Sequence, residues 1–295
     1  MTFTQELECF RQKYVYRDVQ AAGGMFHYML AGQGRPLIFL NGGMNCSEMW
    51  LRYVEPLSRQ YQVLLLDYPR EFTTNGELGR GLHGFFAFLG LKDPMLVGAS
   101  DGGMVAQFYA RDYPGEVAGL ALITTGGVDA GTLRVLRRRF CFAQLRLWHL
   151  RRCDYEKVKP KIIRYGSDRA RNESPQDYQY VREMFAALMA DYTREKDVHA
   201  SGLLADILRQ KPATREDFAS LSGRVLLMLP DDDFFSHGLQ ENLVALMPQP
   251  RVLRYRGGHV SAVLQAQRFV GEIREMAAQI LGEPSSAEKV NTIIT

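Results

Sequence analysis

Few cysteines, no long apolar segment and little net charge characterise this chain, and each shortage excludes a class of protein. The four cysteines among its 295 residues lie far apart without CxxC spacing, which is typical of reduced thiols and not of a disulfide framework or a zinc site. No apolar run approaches the ~20 residues that a membrane-spanning helix needs. A net charge of +3 is too small to indicate a nucleic-acid-binding protein.

The N-terminus also lacks the apolar core of a secretory signal. The first residues, MTFTQELECFRQKYVYRD, are polar and of mixed charge. Together with the reduced cysteines, this predicts a cytoplasmic protein. The overall composition, with 46% apolar and 23% charged residues, is that of an ordinary globular protein.

Strand-like and helix-like segments alternate through most of the chain. Two short runs ended by glycines, YVYRDVQAAGG and MFHYMLAGQG, predict a hairpin. Continuous apolar runs typical of buried strands follow: RPLIFL, YQVLLLDYP, PMLVGAS, VAGLALITT, GRVLLMLP and PRVLRYR. Helix-like segments separate most of these runs. The pattern predicts an α/β protein with a mainly parallel, eight-stranded sheet and helices on both faces.

The alternation stops after Asp129 and resumes near residue 219. The intervening sequence has helical periodicity, so we predict a core formed by residues 1–129 and 219–295 and an inserted helical cap over residues 130–218. From residue 130 to 215 the chain has 19 Lys and Arg against 10 Asp and Glu, whereas the remainder has 17 against 23. A basic cap on an acidic core is therefore expected.

The most basic part of the cap, LRVLRRRFCFAQLRLWHLRR, indicates an amphipathic helix or helix pair. Such a pattern is typical of the solvated face of a lid helix whose apolar side covers the site. It is also typical of contact with a membrane surface or an anionic ligand. Four apolar cap residues, Phe140, Phe142, Trp148 and Met184, are candidates either for a substrate pocket lining or for simple core positions.

One short motif carries the chemistry. Gly98-Ala-Ser-Asp-Gly102 matches G-x-S-x-G, with an apolar strand before it and a helical segment after it, which is the context that the motif requires. Small residues on both sides of Ser100 let neighbouring backbone approach closely. The N-terminus of the following helix directs N–H groups toward the serine, where they can stabilise an oxyanion. Ser100 is therefore the candidate nucleophile.

A nucleophilic serine needs a base and an acid that orients it. In the architecture of this motif the chain order is serine, acid, histidine, and His259 in RGGHVSAV fits that order best among six histidines. The acid is expected after the strand VLLMLP, where Asp233 is preferred over Asp232 and Asp231. Asp129, which follows the strand LALITT, is a further candidate for the acid.

The oxyanion requires a second N–H donor from the loop after PLIFL. Glycines in Asn41-Gly-Gly-Met44 allow backbone N–H groups to turn inward. We predict that the N–H groups of Gly43 and Asp101 form the oxyanion hole, with Met44 as the alternative to Gly43.

These segments together resemble the α/β-hydrolase superfamily over nearly the whole chain, from about residue 15 to 281. The resemblance is carried by HYMLAGQGRPLIFLNGG, VLLLDYP, LVGASDGGMVAQFYARDYPGEVAGLALI, VLLMLPDDD and RGGHVSAVLQ. The aspartate after the serine resembles valacyclovir-hydrolase-type and enol-lactonase-type members, and LDYP with GAS-GG is similar to maspardin-like proteins. Two positions depart from the pattern: Asn41 stands where His is frequent, and Pro230 where Gly is frequent.

The resemblance implies the α/β-hydrolase fold and a serine hydrolase that cleaves a small ester, thioester or lactone without a metal or organic cofactor. Its partner would be a small-molecule acyl substrate, with no nucleic acid involved. The same residues also suit C–C bond or amide hydrolysis. The departures at Asn41 and Pro230 and the basic cap leave open a catalytically weak binding or adaptor protein.

Overall fold

The computed structural model describes residues 1–282, in which an eight-stranded sheet carries helices on both faces. The strands are β1 (Arg17–Ala21), β2 (Gly24–Ala31), β3 (Pro36–Leu40), β4 (Gln62–Asp67), β5 (Met95–Ala99), β6 (Gly119–Ile123), β7 (Val225–Pro230) and β8 (Arg251–Tyr255). The α-helices are α1 (Phe3–Lys13), α2 (Leu51–Ser58), α3 (Asn75–Phe88), α4 (Asp101–Asp112), α5 (Ala130–Arg139), α6 (Ala143–Leu150), α7 (Lys159–Ser167), α8 (Pro175–Ala190), α9 (Arg194–Ile207), α10 (His237–Leu246), α11 (Ser261–Leu264) and α12 (Ala266–Leu281). Short 3-10 helices cover Ser47–Trp50, Tyr155–Lys157, Asp168–Ala170 and Arg215–Leu221.

The strand order β1-β2-β4-β3-β5-β6-β7-β8 confirms the predicted sheet. The β1–β2 and β2–β4 pairs are antiparallel, and the remaining pairs from β4 to β8 are parallel. The carboxyl ends of the parallel strands therefore share one edge of the sheet. Ligands of open α/β sheets bind at that edge.

The core lies on both faces of the sheet because successive strand residues point to opposite sides. In β4, Leu64 and Leu66 belong to the hydrophobic cluster that includes residues of α3, α4 and α10, whereas Val63 and Leu65 belong to the cluster that includes residues of α1, α2 and α12. All four side chains are fully buried. Burial on both faces explains why these strands read as continuous apolar runs in the sequence.

Helices α5–α9 form the inserted cap between β6 and β7. The first of these helices, α5, is capped by Asp129, whose carboxylate accepts the Thr132 N–H at 2.9 Å. The presence of the cap is confirmed, while its limits at residues 130 and 218 stay predictions. The tail from residue 283, which the prediction assigns to the core, lies outside the described residues.

Polar contacts fix the later part of the cap to the core. The carboxylate of Asp206 in α9 accepts both the backbone and side-chain N–H groups of Asn75, at 2.7 and 3.1 Å. On the other face, Glu6 accepts two bonds from Arg52 at 2.7 Å and one from the Tyr180 hydroxyl of α8 at 2.8 Å. Hydrogen bonds that involve charged groups are stronger than those between neutral groups. These contacts therefore attach α9 to α3 on one face of the sheet and α8 to α1 on the other.

Three further local features complete the fold of the described residues. The polar N-terminus forms α1, which begins with a capping box between Thr2 and Gln5. Ser47 begins a 3-10 helix. Near the end of the described residues, Gln265 separates the short helix α11 from α12. No helix within residues 1–282 combines the length and apolar composition needed to cross a bilayer.

Candidate active site

Ser100 lies on the turn between β5 and α4 in a strained conformation, with φ 53° and ψ −122°. A non-glycine residue in this region costs roughly 1–3 kcal/mol and persists only where its surroundings enforce it. Here the Ser100 carbonyl accepts the Thr125 hydroxyl at 2.6 Å, and its N–H donates to the Ile123 carbonyl at 3.1 Å. A Cβ on Gly98 would collide with the Gly102 carbonyl, which is why small residues flank the turn.

The structure brings Ser100, His259 and Asp233 into one hydrogen-bonded chain. The Ser100 Oγ lies 2.9 Å from His259 Nε2. His259 Nδ1 lies 3.0 Å from each carboxylate oxygen of Asp233. The Asp233 side chain is fully buried and that of His259 is 13% exposed. An Nδ1–H donated to the carboxylate leaves Nε2 free to accept the serine proton.

The three consecutive aspartates after β7 have different partners. Asp231 accepts the Gly257 N–H at 2.9 Å, and Asp232 accepts the Asn172 side-chain N–H at 2.9 Å. Of the three, only Asp233 contacts the His259 ring, and it also accepts the Phe235 N–H at 3.2 Å. Asp129 caps α5 instead. The geometry therefore separates Asp233 from the other candidate acids.

The other five histidines, all within the described residues, do not contact Ser100. His27 and His83 face Asp18 and Glu116, and His237 faces Glu241. His199 Nε2 lies 2.9 Å from the Phe72 carbonyl, and His149 is exposed on α6. Among the six, His259 is the one that contacts Ser100.

Side-chain hydrogen bonds shape the loop after β3. The Asn41 side-chain N–H donates to the Leu66 carbonyl at 2.7 Å, and the Asn41 backbone carbonyl accepts the Tyr68 hydroxyl at 3.1 Å. Asn45, with φ 44°, accepts the Tyr68 N–H at 2.7 Å and donates to the Tyr68 carbonyl at 3.0 Å. Asn41 thus provides an anchor for the loop at the position where His is frequent.

Tyr192 of the cap also holds this loop. Its hydroxyl donates to the Met44 carbonyl at 2.8 Å, and the residue is 4% exposed. It packs with Leu150, Tyr155 and Met189. The orientation of the peptide after Met44, next to Gly43, therefore depends on a cap side chain. No motif in the sequence signals this role.

Asp101 enters the site with its side chain as well as its backbone. A Cβ on Gly43 would lie 3.1 Å from Asp101 Oδ2, so the carboxylate lies against the loop that is predicted to hold the oxyanion. Burial raises the pKa of Asp101 above its ordinary value, and the charges of His259 and Arg169 with a hydrogen bond from Ser100 oppose the rise. The sequence prediction for Asp101 involves only its backbone N–H, as a donor to the oxyanion.

Two cap arginines border the histidine side of the site by contacting Phe234, a residue of the loop after β7. The Phe234 ring lies 4.6 Å from the His259 ring. The guanidinium groups of Arg169 and Arg139 lie 5.4 and 5.3 Å from the Phe234 ring centre, and Arg139 donates to the Phe234 carbonyl at 2.7 Å. Such cation–π contacts fix the ring beside the histidine.

Two of the four apolar cap residues that were candidates for a pocket lining or for core positions are exposed instead. Phe142 is 72% and Trp148 is 53% exposed on the outer surface of the cap, because α6 turns Leu147 and Leu150 inward instead. Phe140 packs partly buried against the core and Met184 is a buried core residue. These two confirm the alternative interpretation as core positions.

A twisted, mainly parallel sheet with an inserted cap and a strained serine turn at the carboxyl end of β5 defines an α/β hydrolase. The model of the Alpha/beta hydrolase family matches residues 37–272, and the chain belongs to this family.

Similar proteins agree with that membership. Monoacylglycerol lipase ABHD6 of Homo sapiens is 32% identical over 123 residues, which cover 36% of this chain and 36% of that protein. The chain thus matches little more than a third of that relative. A hydrolase from Pseudomonas aeruginosa PA01 has a TM-score of 0.70 at 18% identity, covering 89% of this chain and 98% of the other. The enol-lactonase from Burkholderia xenovorans LB400 has a TM-score of 0.68 at 17% identity, covering 89% and 100%. At these identities the two structures show a shared fold.

Proposed function

We propose that this chain is a serine hydrolase that cleaves a small ester, thioester or lactone through Ser100, His259 and Asp233. The observation that carries the proposal is the continuous hydrogen-bonded chain from Ser100 Oγ through His259 to Asp233, with distances of 2.9 and 3.0 Å. These distances lie within the range over which a nucleophile, its base and an orienting acid form hydrogen bonds, which supports the proposal. Family membership supports hydrolysis as the class of reaction.

Acylation begins at the serine. His259 Nε2 takes the Ser100 hydroxyl proton while Oγ forms a bond to the substrate carbonyl carbon. Asp233 holds the ring and stabilises the imidazolium that results. Nε2 then protonates the departing alcohol, thiol or ring oxygen as its bond to carbon breaks. The product of this half-reaction is an ester between Ser100 and the acyl group.

Deacylation repeats the same steps with water. His259 accepts a proton from water as its oxygen attacks the acyl carbon, and returns that proton to Ser100 Oγ when the carboxylic acid leaves. In both halves, negative charge develops on the carbonyl oxygen. We assign its stabilisation to the backbone N–H groups of Asp101, at the start of α4, and of Gly43. Met44 remains the alternative to Gly43.

Labelling with a fluorophosphonate probe tests the nucleophile directly. We expect the full chain to be labelled at Ser100, as located by peptide mass analysis, and the Ser100→Ala variant to be unlabelled. Ser201→Ala is the matched control, since Ser201 bonds Asp197 in the cap and should leave labelling unchanged. Absence of label in the wild-type chain, while a known serine esterase is labelled in parallel, would overturn the proposal in favour of a binding or adaptor role.

A substrate panel tests the bond that is cleaved. Matched p-nitrophenyl esters, thioesters, lactones, anilides and a C–C cleavage substrate should be compared by kcat/KM. We expect esters, thioesters or lactones to be the best class. A preference for the anilide or the C–C substrate would retain the serine mechanism but refute the proposed substrate class.

A further inference from the structure

The outer surface of α5 and α6 exposes apolar side chains that core packing does not explain. Phe142 is 72%, Leu145 is 59% and Trp148 is 53% exposed, and Val135 on α5 is 44% exposed. We call this region, residues 130–152, the α5–α6 surface. Contiguous exposed apolar groups rimmed by polar residues mark interaction sites in soluble domains.

Helix α6 has apolar side chains on two opposite faces, one buried and one exposed. Leu147 and Leu150 point inward and are 6% and 3% exposed. Phe142, Leu145 and Trp148 follow one another at intervals of three residues and therefore share the opposite face. The helix thus has a second apolar face beyond the one that attaches it to the cap.

The charge of the same surface has one sign. Residues 130–152 contain seven arginines and no Asp or Glu, and within the described part of the chain none of these arginines forms an ion pair. Arg137 and Arg139 donate to backbone carbonyls, and the Arg152 guanidinium lies 4.7 Å from the Trp148 ring centre. The remaining members are exposed: Arg134, Arg138, Arg146 and Arg151.

We propose that the α5–α6 surface docks on an anionic lipid bilayer, with Phe142, Leu145 and Trp148 inserted at the headgroup level. Aromatic and leucine side chains next to unpaired arginines are the composition of helices that lie in a bilayer interface, where the amphipathic Trp ring is favoured. A two-fold contact between copies would bring seven like charges against seven, which disfavours self-association. A small soluble anion would leave the apolar residues exposed.

Docking there places the candidate active site near the membrane. Arg139, the last residue of α5, donates to the Phe234 carbonyl, and the Phe234 ring contacts His259. The surface therefore adjoins the histidine side of the site. The proposal concerns binding and does not depend on which bond the site cleaves.

Tryptophan fluorescence provides a local readout of insertion. The chain has two tryptophans, and Trp50 is fully buried in the core, so a blue shift on adding vesicles reports Trp148. We expect the full chain to bind phosphatidylcholine vesicles that contain phosphatidylglycerol, with a blue shift, and to bind pure phosphatidylcholine vesicles at least tenfold more weakly. High salt should weaken the binding.

Two variants and two matched controls assign the binding to this surface. Arg138→Gln with Arg146→Gln should lower vesicle affinity by more than tenfold, at about fivefold for each arginine, whereas Arg59→Gln on α2's C-terminal end should not. Phe142→Ser with Leu145→Gln should abolish the blue shift, whereas Phe88→Ser, at a position on α3 that is 58% exposed, should retain it. Circular dichroism confirms that each variant is folded.

Three results would overturn the proposal. The first is equal affinity for neutral and anionic vesicles, and the second is unchanged binding in both surface variants. The third is a concentration-dependent dimer, seen by sedimentation, that the Phe142→Ser, Leu145→Gln variant disperses while vesicle binding is absent. That last outcome would assign the surface to a second copy of the chain.

Discussion

The loops around Ser100 and the α5–α6 surface differ in how many of their polar and charged side chains have partners within the protein. At the site, Asn41, Asn45, Tyr192 and Asp233 each have a protein partner at hydrogen-bond distance. On the α5–α6 surface, seven arginines lie without a carboxylate. The first region is organised before any ligand arrives, whereas the second leaves its charges available to one.

The difference indicates where changes should affect activity and where they should not. Groups held at 2.7–3.0 Å around the serine fix geometry, and catalysis is sensitive to geometry. Unpaired surface cations contribute little to folding. Substitutions in the two regions should therefore separate activity, stability and membrane binding.

The largest effect is expected for Asp233→Asn. An amide in this place cannot accept His259 Nδ1–H with both oxygens and favours the wrong ring tautomer, so kcat should fall by roughly 10³–10⁴-fold. Asp231→Asn and Asp232→Asn are matched controls one and two residues away, and steady-state kinetics should show less than about a tenfold change for each. A loss at Asp232 comparable with that at Asp233 would contradict the assignment.

Tyr192→Phe should have the next largest effect. The change removes the donor to the Met44 carbonyl from a part-buried hydrogen bond, at a cost of about 0.5–1.5 kcal/mol. We expect kcat to fall about tenfold with KM little changed, because the loop beside Gly43 loses its fixed orientation.

Tyr155→Phe is the control for Tyr192. Tyr155 lies in the same cap cluster, and its hydroxyl donates to Asp197 at 3.2 Å, away from the loop. Its loss should lower the free energy of unfolding similarly while kcat is retained. Equal kinetic effects of the two variants would mean that the cap acts only through stability.

The sequence predicted the parts of this protein that depend on local pattern. Buried runs, the glycines around Ser100 and the chain order of Asp233 and His259 identified the sheet, the turn and the hydrogen-bonded chain, because each is signalled within a few residues. The contribution of Tyr192 was not predictable, since a buried tyrosine has many equivalent interpretations until its partner, 148 residues away, is known. The outward orientation of Phe142 and Trp148 was missed for a similar reason: an apolar helix face does not indicate which of two faces is buried.

Asp101→Asn tests the electrostatics of the site. Because burial raises the pKa of Asp101 in the folded chain, the unfolded chain loses this proton first as pH rises. Stability contributed by the protonated form is therefore lost between the ordinary pKa of Asp, about 4, and the raised value, and the loss is complete above it. We expect Asp101→Asn to gain stability relative to wild type across that window.

Urea denaturation of both chains at several pH values from acidic to neutral measures this gain. The difference in unfolding free energy should grow with pH and then stay constant. Asp232→Asn is the control, because Asp232 is exposed and its variant should show a smaller dependence. A difference that shrinks as pH rises would contradict the burial of the Asp101 charge.

The smallest effect on the free energy of unfolding is expected when an arginine of the α5–α6 surface is replaced. This effect should have the opposite sign from the effect of replacing an arginine that is paired with a carboxylate. Arg134 and Arg138 lie four residues apart on α5, and like charges at this spacing destabilise a helix by roughly 0.2–0.5 kcal/mol. Arg138→Gln should therefore leave the free energy of unfolding unchanged or slightly raised. Arg52→Gln, which removes two bonds to Glu6, should lower it by roughly 1–3 kcal/mol. If Arg138→Gln destabilised the chain as much as Arg52→Gln does, its guanidinium would have a structural role, and the charges of this surface would not be free for a ligand.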